Sequence, residues 1–148
     1  MKFETKLLRE NLSVLTPAFS GKPLVPACEN VRIKTEGYTV TLTGTDLVLT
    51  IEKTYKSDID NGENEFLVHF KTLTDYLKML DDVEIELKPE KNYMVQAIAG
   101  KSKATIEGEE LNCFPLFETT TENTIDIDLG FVESIVKNAN PFRDTDDL

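Results

Sequence analysis

Between Tyr38 and Ser57 apolar and polar residues alternate on both sides of a short Gly-Thr-Asp break. Val40 and Leu42, then Leu47, Leu49 and Ile51, fall on alternate positions with threonines between, the period of two that marks strands with one face on a core. Gly44 supplies a flexible backbone point and Asp46 can bond its own neighbouring amides, so the break is expected to be a turn between paired strands. The same alternation predicts strands over 30–35, 65–70, 83–88, 93–99 and 103–107, and a short one over 2–4.

Two stretches change period. After Thr5, a candidate N-cap, Leu7, Leu8, Leu12, Val14 and Leu15 share one side of a helical wheel and Lys6 and Arg9 the other, until Pro17 ends the pattern. Over 71–80, Leu73, Tyr76, Leu77 and Leu80 lie opposite Lys71, Thr74, Asp75 and Lys78. Residues 20–26 and 58–64 are loops by composition. The order is strand, helix, several strands, helix, three strands, so the fold class is α+β, antiparallel sheets with two helices on one side. A spacing of 124 residues then aligns Phe3 with Ile127, Leu8 with Val132, Leu12 with Val136 and Pro17 with Pro141. Residues 1–120 are therefore expected to form one domain. Residues 121–148 are expected to be a linker followed by the first strand and helix of a second, similar one.

At 148 residues and 40% hydrophobic there is material for a real core. The net charge of -11 argues against nucleic acid until its distribution is considered. Residues 1–117 hold 19 acidic and 14 basic side chains, whereas 118–148 hold 8 and 2, so a basic patch remains open to the first part. The start, MKFETKLLRE, lacks the apolar run of a signal peptide, and no stretch approaches the roughly 20 apolar residues of a membrane span. Cys28 and Cys113 fit neither a metal knuckle nor a disulfide framework and are expected to be small buried residues in a reducing cytoplasm. The single histidine, His69, has no nucleophile signature around it. Asp58, Asp60 and Glu63 crowd a loop too short for an EF-hand, and no Gly-rich phosphate cradle is present. No catalytic residue, metal or cofactor is expected.

The ordered series MKF, KPLVPACENV, TLTGTDL at 41–47, LVHFKTLTDYLKML at 67–80, GKSKATI at 100–106 and CFP at 113–115 resembles the N-terminal domain of the bacterial sliding clamp, the beta subunit of DNA polymerase III. The later IDIDLGFVESIVKNANPF resembles the start of that family's second domain. The resemblance implies a non-enzymatic DNA polymerase processivity factor. In that family three-domain chains close into a ring-forming homodimer, with helices lining a channel around duplex DNA and sheets outside. It implies DNA-binding roles for Lys22, Lys71 and Lys78, with Lys6 and Arg9 added from the helical wheel. It implies a subunit interface at Lys101, Lys103, Ala104 and Ile106, and contacts with the replicative polymerase and clamp loader through later domains. Three departures stand out: Ala104 where a large aromatic is common, His69-Phe70 in place of Pro-Ala, and Asp146 near a polar DNA-contacting position. The alternative is a free-standing clamp-fold protein-interaction module that does not encircle DNA. Lysines on an exposed helix side or a protected edge strand need no ligand.

Overall fold

The computed structural model describes residues 1–19, 21, 23, 25–81, 83–115 and 129–139. It divides into two units, Met1–Leu116 and Phe117–Leu148.

In the first unit β1 (Lys2–Glu4) leads into helix α1 (Thr5–Ser13), followed by 3-10 turns at Thr16–Phe19 and Pro26–Glu29. Next come β2 (Asn30–Glu36), β3 (Thr39–Thr45), β4 (Thr50–Lys56) and β5 (Glu63–His69). Helix α2 (Phe70–Lys78) is followed by β6 (Glu84–Pro89), β7 (Met94–Ala99) and β8 (Ser102–Glu107). Every pairing is antiparallel, in two four-stranded sheets ordered β1-β6-β7-β8 and β4-β3-β2-β5.

The alternation places one face of each strand inward. Phe3, Ile85, Leu87, Val95, Ala97 and Ile106 come from the first sheet, and Val31, Ile33, Val40, Leu42, Phe66 and Val68 from the second. Leu8, Leu12 and Leu15, with Leu73, Tyr76 and Leu77, complete a single core. Each fully buried leucine contributes about 1.5–3 kcal/mol relative to exposure, which is why these helices hold although each has only nine residues. Val14 lies outside this set, 48% exposed just past the end of α1.

The helices begin differently from one another. Thr5 is the first helical residue rather than its cap, and its hydroxyl donates to the Val83 carbonyl, tying α1 to the residue that precedes Glu84. Helix α2 is capped by His69, whose Nδ1 accepts the Thr72 amide at 3.2 Å. The strand β1 is stitched on both sides. The Asn61 side chain accepts the Lys2 amide at 2.7 Å and donates to the Lys2 carbonyl at 3.0 Å, so a residue of the polar 58–64 connection acts as a missing strand neighbour. Asn61 is buried, unlike a solvated loop residue.

The Gly-Thr-Asp segment differs from its expected form. Gly44 lies within β3, paired with Ile51, and β4 starts only at Thr50. A Cβ at Gly44 would stand 2.4 Å from the Phe19 ring, so the position needs glycine for close packing rather than for a turn. The turn itself is Asp46–Leu49, with Asp46 Oδ1 accepting the amides of Val48 (2.9 Å) and Leu49 (2.6 Å). Leu47, Val48 and Leu49 are exposed in it, so their alternation does not continue the strand. Cys28 is buried as expected and Cys113 is exposed.

In the second unit the described residues form α3 (Leu129–Ala139). Val132, Ile135 and Val136 are exposed on it, and Lys137 pairs with Glu133 at 3.7 Å. A helix lies where the 124-residue spacing expects one; the strand expected before it lies outside the described residues.

Candidate nucleic-acid interface

Helices α1 and α2 are in contact, and a groove of about 450 Å³ opens beside them. Arg9 and Ser13 enter it from α1, Phe19 from the following turn, and Lys71, Asp75 and Lys78 from α2. The seating of the two helices follows from local sequence. Phe19 packs against Gly44 and stacks on Phe70, ring centroids 3.8 Å apart and planes within 5°, and Phe70 opens α2 directly after its His69 cap. The glycine of TLTGTDL is thus the base of a stack that joins the end of α1 to the start of α2.

On α2 the wheel places the cations as expected. Leu73, Tyr76 and Leu77 are buried, while Lys71 and Lys78 are exposed seven positions apart, about 10 Å along the axis. Asp75 stands between them. Lys78 Nζ donates to Asp75 Oδ1 at 2.9 Å, and that bond, with the charges of Lys78 and Lys71, holds the Asp75 carboxyl below the ordinary carboxylate range. Lys71 has no ion-pair partner among the described residues. Arg9 is half-buried at the groove, whereas Lys6 is exposed on α1 and does not line it. Lys22 lies outside the described residues, although its neighbours Gly21 and Pro23 line the groove. Three of the five candidate cations therefore share one surface.

The groove also carries acids. Glu29 and Asp46 line it, with His69 Nε2 3.5 Å from Glu29 Oε2. Burial, followed by the nearby Asp46 charge, pushes the Cys28 thiol up, which keeps it protonated and unreactive. Such a surface of exposed lysines interleaved with carboxylates suits a weak, salt-sensitive hold on a polyanion rather than tight recognition. His69, Phe19 and Asp75 are the residues that shape it without having been predicted to touch a ligand. Asx or Ser/Thr caps leave a sequence signal, but a capping histidine does not.

The other predicted surface is at β8, the outer strand of its sheet, which among the described residues pairs only with β7. Lys101 and Lys103 are exposed, Ala104 is half-buried against the core, and Ile106 is within the core at 1% exposure. Ile106 thus supports the strand from behind. Just past it, a Cβ at Gly108 would meet the carbonyl oxygens of Leu67 (2.2 Å) and Tyr93 (2.6 Å), so glycine is required where β8 passes β5.

Residues 1–118 match the family model described as DNA polymerase III beta subunit, N-terminal domain. Among solved structures the chain is similar to the DNA polymerase III subunit beta of Pseudomonas aeruginosa, with 26% identity over 81% of this chain and 32% of that one, TM-score 0.74. It is similar to the DNA polymerase beta subunit of Streptococcus pyogenes, with 25% identity over 91% and 37%, TM-score 0.82. A griselimycin-bound Pseudomonas aeruginosa sliding clamp gives 26% identity over 81% and 32%, TM-score 0.75. No sequence among curated proteins matches. The chain spans about a third of the length of these solved structures. With the match covering residues 1–118 and both sheets of the first unit, the chain belongs to the DNA polymerase III beta subunit family, through that family's N-terminal domain.

Proposed function

We propose that this chain is the first domain, and the start of the second over 121–148, of a sliding clamp that encircles duplex DNA without reading its sequence and serves as a polymerase processivity factor. Its part is mechanical, with no bond made or broken. Arg9, Lys71 and Lys78, joined by Lys6 and Lys22, face the phosphates. Contacts of this kind hold position on a duplex but carry no base information, which a clamp that must slide requires. The outer edge of β8, at Lys101, Lys103 and Ala104, meets another clamp subunit as the ring closes; Ile106, expected at that interface, is buried in the core and backs the strand instead. The replicative polymerase and clamp loader engage later domains, and the setting is the cytoplasm. Among the described residues no helix is long and apolar enough to cross a membrane.

The observation that carries this reading is the shared surface of Arg9, Lys71 and Lys78 beside two contacting helices in a chain of this family. The test uses the full-length protein on duplex DNA across a salt series. Lys71→Glu is expected to weaken binding and flatten the slope of log affinity against log salt by about 0.9 for the lost phosphate contact. Asp75→Asn is expected to do the opposite, since it frees Lys78 and removes a charge that repels phosphate. Unchanged retention on circular DNA with Lys71→Glu and Lys78→Glu together would remove this face from the interface.

A further inference from the structure

A second groove, of about 430 Å³, lies in the first unit between β5, the start of β7 and the 3-10 turn Leu111–Cys113. Its floor is apolar, with Phe66, Leu67 and Val95 buried, and Tyr93 and Leu111 stand at its walls 51% and 38% exposed. Asn92 and Tyr93 have φ of +58° and +59°, so the aromatic ring is presented by two successive left-handed residues, a conformation that non-glycine residues adopt at a cost.

The rim is of one sign. Glu65, Glu90, Glu109 and Glu110 line the groove and, among the described residues, no lysine or arginine does; Lys91 borders a neighbouring hollow with Gln96 and Thr105. Arg32 neutralises Glu65. Glu90, Glu109 and Glu110 have no ion-pair partner among the described residues. Glu110 accepts from Asn112 Nδ2 at 2.9 Å, and its charge beside the Tyr93 phenol pushes that group up.

We propose that this groove docks a cationic, partly aliphatic segment of a partner protein, the aliphatic side chains between Tyr93 and Leu111 and the basic ones against Glu90, Glu109 and Glu110. An aromatic and a leucine over a buried apolar floor supply the anchor, and a one-signed rim supplies steering and choice of partner. Duplex DNA is excluded by the same charge, so this surface is separate from the helix face. The chain's own continuation does not suit it either, because residues 116–128 carry Glu118, Glu122, Asp126 and Asp128 and no basic residue.

The test is fluorescence anisotropy of the 148-residue chain with a short labelled peptide of alternating lysine and leucine, beside its glutamate–leucine counterpart. Glu109→Gln with Glu110→Gln is expected to weaken binding of the basic peptide about tenfold at low salt, and Leu111→Ser about tenfold at any salt. Glu36→Gln with Glu63→Gln removes equal charge from the β2–β5 pair and is expected to leave binding within twofold. Amide shifts on titration should concentrate at 90–95 and 109–112, and unchanged melting of the variants separates lost docking from lost folding. Equal weakening by the two charge pairs, equal binding of the acidic peptide, no binding, or shifts centred elsewhere would each overturn the proposal.

Discussion

Lysines occur on both the α2 face and the β8 edge, and their neighbours give them different work. On α2, Lys71 and Lys78 stand clear of the core, and Lys78 shares its charge with Asp75 at 2.9 Å. Removing Lys78 costs the fold little, because an exposed ion pair contributes about 0–1 kcal/mol, and among the described residues exposed Lys71 has no such pair to lose. On β8, Lys103 alternates with half-buried Ala104 and fully buried Ile106, two residues from the glycine that lets the strand pass β5. The helix surface is a charge pattern laid over a core it does not disturb. The edge is part of the core that also presents charges. A basic residue is thus informative about a ligand only after its neighbours have been placed, and by that standard the helix face is the stronger ligand-facing candidate.

The comparison breaks first at Ile106. Ile106→Ala is expected to cost about 2–5 kcal/mol in urea unfolding, as for other large-to-small changes at buried positions. Lys103→Ala and Lys71→Ala should each stay within about 0.5 kcal/mol. If Ile106→Ala were as mild as Lys103→Ala, the edge would be an appendage and its contribution to the core would be lost.

Gly44→Ala asks how far the helix face depends on the sheet behind it. The new methyl would need the Phe19 ring to move, and the ring is held against Phe70. An overpacking cost of about 1–3 kcal/mol is expected. A second effect should be particular to the helix side: faster amide exchange around 16–19 and in the first turn of α2, with β7 and β8 unchanged. Uniform loosening of both regions would mean that Gly44 supports the whole domain rather than the seating of two helices.

Much of this was legible because side-chain period reports which face is inward. The strands β2, β3 and β6 to β8, both helices and the exposed sides of Lys6, Lys71 and Lys78 all follow from it. Period says nothing about partners. That β1 pairs with β6 across more than eighty residues, dividing eight strands into two sheets, depends on non-local contacts with no local signature. The alternation also misled where it ran into the turn: Leu47 and Leu49 keep strand spacing, but Asp46 takes the Val48 and Leu49 amides that a continuing strand would need. Glycine was the other ambiguous sign, since close packing at Gly44 and a flexible turn leave the same letter. At the site, the wheel found Lys71 and Lys78 but not the Phe19–Phe70 stack or the His69 cap that orient α2, because the stack joins residues from separate segments and a capping histidine, though local, carries no sequence signal.

The smallest effect concerns what the acids beside the helix face are for. Asp75 is held low by a lysine, whereas Asp46 is held low by the backbone amides of Leu49 and then Val48. A carboxyl with a depressed folded pKa adds stability at any pH above its ordinary range. That stability is lost as pH falls through the folded value, where both states are protonated. Asp46→Asn keeps an acceptor oxygen but cannot titrate, so it isolates the charged part of the turn. The urea midpoint of the parent should exceed that of Asp46→Asn at neutral pH, and the gap should close as pH drops below the carboxylate range, with other acids cancelling in the difference. Adding salt should barely change the gap, because short hydrogen bonds to a carboxylate are poorly screened, while the corresponding gap for Asp75→Asn should shrink with salt as an exposed ion pair does. A gap for Asp46 that is flat with pH would leave the turn to geometry alone, and both acids would then count only as charges diluting the lysines.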